Sequence, residues 1–400
     1  MLSPSLADAG SVANTRIDML RRCVAAHAER LDFSGAILIS RDGQTMTYAR
    51  GEMRPGGAPI TIGSRFNIGS AGKMFTAVAV GQLVDTGEVE LDAPIGRYVD
   101  GLTPGASVVT VRQLLTHSSG LGNFFTPDNL VAIERARDLD ALKPLISAEA
   151  PAFTPGSRFA YSNSGFLLLG LMIERVSGQT YGAYLASHVF APAGMTATSL
   201  DPDNGAALAQ GMTGMRPPPP GGMAPPQAGG PPRTMGPGPD AGPGNLPPPR
   251  DGGRPPPPGG PRPDSELRLA REAVLPGSPA GGAFSTVGDL QRFFVALQSG
   301  RLVKAGTARL LREKQIVSGP ARGSLSELGY GLGFGTSSFE GHNWFGHNGG
   351  APGLNAEAVV FPEDGVTVFV LANRDPPMAS ELLRAARATI FAGKCPDVRP

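Results

Sequence analysis

The 400-residue sequence predicts a mixed α/β (α+β) domain, an antiparallel sheet flanked by N- and C-terminal helices with an all-helical subdomain inserted between its halves. Three observations predict it. A β-hairpin pattern lies near the N-terminus, a series of short β-rich runs fills the last third, and the apolar residues between them recur mostly at helical spacing.

The elements follow in chain order. From Thr15 to Leu31, Ile17, Leu20, Val24 and Leu31 fall near a 3.6-residue period and predict an amphipathic helix. Residues 36–39 and 45–48, joined through Asp42-Gly43, read as a hairpin. A helix is expected from Ser70 to about Thr86, with Gly87 placed to cap it. Further helices are expected over 111–116, over 164–177 (apolar enough to be buried) and over 290–297. Strands are expected over 329–334, 344–347, 356–361 and 366–371, the last two joined by Glu363-Asp364-Gly365, before a closing helix over 378–391.

Composition bounds the function. A formal net charge of +1 supplies no global field to recruit nucleic acid or an anionic membrane. The longest tight apolar stretch, Phe166 to Ile173, is far short of the ~18 residues of a membrane span. Residues 1–14 carry neither a basic start nor an apolar core, so no signal peptide is visible, and the chain as written reads as cytoplasmic unless a leader has been removed. The two cysteines, Cys23 and Cys395, form no C-x-x-C pair, and two separate buried thiols or one long-range bridge are both open. No histidine pair, EF-hand or Walker loop points to a metal or cofactor, and none is expected.

One segment stands apart. Residues 217–263 hold 20 of the 40 prolines and few large apolar groups. Such a stretch buries too little surface to offset an ordering entropy of roughly 1–2 kcal/mol per residue. The expectation is a disordered, locally polyproline-II insertion over about 215–265. It reads as an inert loop expansion or as a docking site for a proline-reading partner.

Three short patterns carry the chemistry. Ser70-Ala71-Gly72-Lys73 is the sole S-x-x-K, in a chain with five lysines. On a helix it sets a hydroxyl beside an amine. A buried lysine gives up its proton more readily, and a serine needs such a base to become a nucleophile. Tyr161-Ser162-Asn163 is the sole Y-x-N, offering a phenol to relay a proton and an amide to orient Lys73 and meet a substrate carbonyl. His347-Asn348-Gly349-Gly350 is the sole H-x-G, expected at a strand end. Its glycines admit a substrate backbone and leave an N–H free for an oxyanion, while His347 is a candidate cation or donor near Tyr161. Each pattern alone also fits an N-cap serine, a core tyrosine or a turn histidine.

Taken together and in this order, the three resemble the serine β-lactamase and penicillin-binding protein superfamily, most closely the class C β-lactamase-like esterases and D-amino-acid peptidases. Phe66-Asn67-Ile68-Gly69-Ser70, Leu114-Leu115-Thr116-His117-Ser118-Ser119-Gly120-Leu121, Pro155-Gly156 and 280–286 extend the likeness over about residues 12–392, interrupted by the Pro-rich block. The resemblance implies a β-lactamase/transpeptidase-like fold with its helical subdomain at about 80–205. It implies Ser70 as nucleophile, Lys73 and Tyr161 as the proton-handling pair, and Asn163, His347, Gly349 and Gly350 at the substrate. The N–H groups of Ser70 and Gly350 would form the oxyanion hole, and His117 would hold its turn. It also implies terminal helices packed side by side, which brings Cys23 and Cys395 into range of one another, a periplasmic or secreted setting, and a Pro-rich flap at the cleft rim.

One departure sets the order of substrates. β-Lactamases of this branch carry Lys-Thr-Gly where this chain has His347-Asn348-Gly349, and histidine is only partly charged near neutral pH. The expectation is therefore a carboxylesterase-like serine hydrolase acting on small esters or D-amino-acid amides and peptides. β-Lactam or DD-peptide hydrolysis ranks below it, and an inactive hydrolase fold serving as a Pro-rich binding module is the non-enzyme alternative. Whether Lys73 or Tyr161 is the base stays open, since coupled groups titrate as a pair.

Overall fold

The computed structural model describes residues 6–41, 43–202, 207–214, 268–269, 277–321 and 323–397. The Pro-rich insertion expected over 215–265, and with it the expected flap, lies outside these residues.

An eight-stranded antiparallel sheet forms the centre. Its strands are β1 (Gly35–Arg41), β2 (Gln44–Arg50), β3 (Ile316–Gly319), β4 (Leu328–Tyr330), β5 (Gly335–Phe339), β6 (His342–Ala351), β7 (Leu354–Phe361) and β8 (Val366–Ala372). Their order is β2-β1-β8-β7-β6-β5-β4-β3. The N-terminal hairpin thus joins a C-terminal meander through the β1–β8 pairing, which matches Gly35 to Ala372 and Arg41 to Val366. Arg41 pairs with Gln44 at the end of the hairpin, and Gly43 takes a positive φ of 77°.

Both faces of this sheet are covered, and β8 shows how the sequence achieves it. Val366, Val368 and Val370 enter one apolar cluster, while Phe369 and Leu371 enter the other. A strand buried on both sides reads as a continuous apolar run, so β7 and β8 were prominent in the sequence. On one face lie the terminal helices α1 (Leu6–Arg30) and α7 (Met378–Ala392). Leu20, Val24 and Ala28 of α1 meet Ala379, Leu382 and Ala386 of α7 in one cluster with Ile37 and Val368. Cys23 and Cys395 are disulfide-bonded there with Cα atoms 5.5 Å apart, which decides between the two readings of the cysteines.

The other face carries the helical part of the chain. Its main members are α2 (Lys73–Thr86), α3 (Val111–Leu115), α4 (Asn163–Ser177), α5 (Val287–Gln298) and α6 (Ala305–Arg312). α2 and α4 are buried along most of their length. α3 begins at a capping box, in which the Thr110 hydroxyl accepts from the Gln113 N–H and the Gln113 side chain accepts from the Thr110 N–H. Among the described residues, no helix is long and apolar enough to cross a membrane.

Three expectations need correction. The helix expected from Ser70 begins in its α-form at Lys73, and Gly69–Gly72 is a tighter 3-10 turn. The tight turn follows from the entry to it, where Gly69 adopts a left-handed φ of 51° and its N–H is held by Asn67 Oδ1 at 2.8 Å. The strand expected over 329–334 stops at Tyr330, because Gly331 folds back to donate to the Phe334 carbonyl and Gly333 turns with φ 80°. His347 does not end a strand. β6 continues through Ala351, so Asn348, Gly349 and Gly350 are strand residues.

Candidate active site

The site forms where three chain segments converge on the 3-10 turn bearing Ser70. The first is the edge of β6. Its pairing with β5 ends at Gly346 opposite Gly335, whereas its pairing with β7 continues to Ala351 opposite Leu354. Residues 347–351 therefore have an unpaired edge on the β5 side. The Gly349 carbonyl points toward β7, where it accepts from Asn355 Nδ2 at 3.2 Å. Peptide groups alternate along a strand, so the Gly350 N–H points to the open edge. The approach to the nucleophile turn is close. A Cβ on Gly349 would lie 2.0 Å from the Ile68 carbonyl oxygen and 3.1 Å from the Ser70 nitrogen. Only glycine fits there.

The second segment is 280–282. Gly282 N–H donates to the Gly69 carbonyl at 3.1 Å, and a Cβ on Gly281 would collide with that same carbonyl at 2.6 Å. This places the Ala280 carbonyl over Lys73, whose Nζ donates to it. The third is the start of α4. Ser162 caps that helix by accepting from Gly165 N–H, which sets Tyr161 just outside the helix and Asn163 at its first turn.

Lys73 is fully buried on the first turn of α2. Its Nζ lies 2.8 Å from Asn163 Oδ1 and 3.4 Å from Ser70 Oγ, and stands over the rings of Tyr161 at 4.7 Å and Phe166 at 5.3 Å. Burial holds the amine well below the ordinary lysine value, and among the described residues no carboxylate opposes this effect. Burial moves the Tyr161 phenol the other way, upward, and the neighbouring Ser70 hydroxyl offsets only part of the rise. The Tyr161 hydroxyl is buried beside Ser70 and has no other polar partner among the described residues. Burial therefore favours the uncharged form of both groups.

His347 is buried behind the open edge, with ring centroids 6.5 Å from Tyr161. Burial, with the Lys73 charge adding to it, pushes its pKa down to about 3, so it is neutral near pH 7 and the expected cation is not there. Its hydrogen bonds define its tautomer. Nδ1 donates to the Asn348 carbonyl at 2.6 Å, so Nε2 is the bare nitrogen and accepts from the Tyr330 hydroxyl at 2.9 Å. His117 is also neutral, held well below its ordinary value by burial and then by the charges of Lys73 and His347. Its Nδ1 accepts from Ser162 N–H at 3.0 Å, and its ring lies 4.1 Å from that of Tyr161. The His117 ring thus ties its own turn to the Tyr161–Asn163 segment.

The structure therefore brings Ser70, Lys73, Tyr161, Asn163, His347, Gly349 and Gly350 into one region. It adds groups that the sequence did not single out. Tyr330 fixes the His347 tautomer, and Asn123 accepts from Asn163 Nδ2 at 3.0 Å. Asn123 lies two residues beyond the Leu114–Leu121 motif, which was the one signal available in the sequence.

Chemically, the arrangement offers a hydroxyl beside a buried amine, a phenol near both, and backbone N–H groups at an open strand edge. A profile of the beta-lactamase family matches residues 20–392. Penicillin-binding protein 4 of Amycolatopsis lactamdurans is 26% identical over 358 residues, covering 84% of this chain and 80% of its own. Esterase EstB of Burkholderia gladioli is 32% identical over 186 residues, which is 42% of this chain and 47% of that one. In fold, the chain resembles a penicillin-binding protein from Bacillus halodurans with a TM-score of 0.72 at 24% identity, over 91% of this chain and 98% of the other. It also resembles the D-amino acid amidase of Ochrobactrum anthropi SV3 with a TM-score of 0.70 at 20% identity, over 94% and 99%. Because the family profile runs unbroken in its bounds from α1 to the end of α7, spanning every segment that meets at Ser70, the chain belongs to the beta-lactamase family.

Proposed function

We propose that this serine hydrolase works through an acyl-enzyme on Ser70 and that its substrates are small uncharged esters or D-amino-acid amides. The observation that carries the reading is the set of partners around Lys73. A neutral amine has two N–H donors and one lone pair. Asn163 Oδ1 and the Ala280 carbonyl are pure acceptors and take the two donors. Burial favours the uncharged amine, whose lone pair then falls to the third partner, the Ser70 hydroxyl 3.4 Å away, with Lys73 as the base.

The reaction follows from that assignment. Lys73 takes the Ser70 proton as Oγ bonds to the substrate carbonyl carbon, and the oxyanion meets the N–H groups of Ser70 and Gly350. The proton passes to the leaving alcohol or amine through the Tyr161 hydroxyl, and the bond to the leaving group breaks. Water repeats the sequence in reverse to release the acid and restore Ser70.

The neutral His347 favours esters and amides over substrates bearing a carboxylate next to the scissile bond, because that position supplies no cation. The names of two similar proteins, an esterase and a D-amino acid amidase, support the same choice. The test compares kcat/KM on p-nitrophenyl butyrate, a D-amino-acid p-nitroanilide and a chromogenic cephalosporin. The ester or the D-anilide should exceed the cephalosporin by about 10²-fold or more, roughly the worth of one charge-paired hydrogen bond. A cephalosporin turned over faster than both would favour the β-lactamase reading.

A further inference from the structure

We propose that Asn123 is a positioning residue that orients the Lys73 lone pair toward Ser70 through the amide of Asn163. This rests on Lys73 being the base, as proposed above. The argument starts from backbone groups, whose donors and acceptors are not interchangeable. Phe125 N–H donates to one side-chain atom of Asn123 at 3.2 Å, and that atom must be Oδ1. The Phe125 carbonyl accepts from the other at 3.2 Å, and that atom must be Nδ2. The Asn123 amide is therefore fixed at both ends by a single residue.

The consequence passes inward. Asn123 Oδ1 faces Asn163 at 3.0 Å and can only accept, so Asn163 presents Nδ2 to it. The remaining amide atom of Asn163, Oδ1, then faces Lys73 at 2.8 Å. With the amide turned over, Nδ2 would face Lys73 and draw the lone pair away from Ser70. An asparagine amide is nearly symmetric in shape, so packing alone selects neither orientation. Hydrogen bonds must select it, and Asn123 supplies the deciding one.

The loop carrying Asn123 is built onto the start of α4, where Asn163 sits. Glu149 accepts from Gly122 N–H at 2.8 Å and from the Ser164 hydroxyl at 2.6 Å. Ser164 Oγ accepts from Phe124 N–H at 2.9 Å, and Ser162 Oγ donates to the Gly122 carbonyl at 2.8 Å. Asn123 is thereby held on both sides, while its own side chain is exposed and open to substitution without disturbing the core.

The experiment uses the full chain with p-nitrophenyl butyrate, reading kcat and KM separately across pH for Asn123→Ala and Asn123→Asp. Asn123→Ala should lower kcat about tenfold with KM within about twofold, the pattern for a group that acts in the reaction rather than in binding. Asn123→Asp keeps an acceptor for both Asn163 and Phe125 and should recover most of kcat on the alkaline plateau. Its charge favours the ammonium form of Lys73, so the acidic limb should move to higher pH. The other titratable groups around Lys73 are His117, His347 and Tyr161, and burial favours the neutral form of each. Wild-type kcat in Asn123→Ala would overturn the proposal, as would an Asn123→Asp variant equally slow at every pH with an unmoved limb. Ser70→Ala, run alongside, separates the two readings, because turnover persisting there overturns the nucleophile assignment itself.

Discussion

Replacing Lys73 by methionine should lower kcat/KM by about 10³-fold, within the 10²–10⁴ that a positioned general base contributes. Methionine matches the length and apolar stem of lysine but offers Ser70 no lone pair. The same variant should change stability in a way that a surface lysine would not. Burial lowers the Lys73 pKa from 10.5 in the folded state, so between that folded value and 10.5 the unfolded chain holds a proton that the folded chain lacks. Unfolding is then favoured as pH falls, by up to ~1.4 kcal/mol for each pH unit. The variant has no such penalty. Thermal melts of the two proteins from pH 10 downward should therefore shift progressively in favour of Lys73→Met. An unchanged difference across that range would mean that Lys73 is charged in the folded protein.

The second large effect is expected at Gly349, which is not a charged or reacting group at all. An added Cβ there meets the Ile68 carbonyl oxygen at 2.0 Å, the Ile68 carbonyl carbon at 2.9 Å and the Ser70 nitrogen at 3.1 Å. These are backbone atoms, so no side-chain rotation relieves the contact, and either the β6 edge or the nucleophile turn must retreat. A displacement of about 1 Å at a reacting centre costs on the order of 10²-fold in rate. Gly349→Ala should therefore lose at least that much in kcat/KM and unfold at a lower temperature. The contrasting substitution is Gly306→Ala in helix α6, where an added Cβ meets nothing within 4 Å. It should leave kcat/KM unchanged and stabilise the helix by roughly 0.5–1 kcal/mol. Equal activity of the two variants would show that the close approach of β6 to Ser70 has no bearing on catalysis.

These residues also show what could be read from the sequence. The hairpin at 36–48 and the runs forming β7 and β8 were legible because their patterns are local, a turn dipeptide in one case and burial on both faces in the other. β5, Gly-Thr-Ser-Ser-Phe, was not legible, since its middle residues are only half-buried and lack the apolar character of a strand. β3 and α6 were missed for a related reason. Ile316–Gly319 has one buried residue, and Ala305–Arg312 likewise buries only Leu311.

In the site, Ser70 and Lys73 were legible because they stand three positions apart on a continuous turn. The tight 3-10 form of that turn was not, because it is imposed by Asn67 and by the approach of Gly349, some 280 residues later in the chain. The neutrality of His347 depends first on its burial, and its tautomer is completed by Tyr330, neither of which has a local signature. Asn123 was invisible for the same reason, since its partner Asn163 lies 40 residues away.

The central claim is that a covalent ester forms on Ser70 during turnover. The direct measurement is acid quenching during hydrolysis of p-nitrophenyl butyrate, followed by intact-mass analysis and peptide mapping, with Ser70→Ala treated identically. The account predicts a mass gain of one butyryl group on the peptide containing Ser70, absent from the variant along with turnover. An adduct on another residue, or one that persists with turnover in Ser70→Ala, would contradict it.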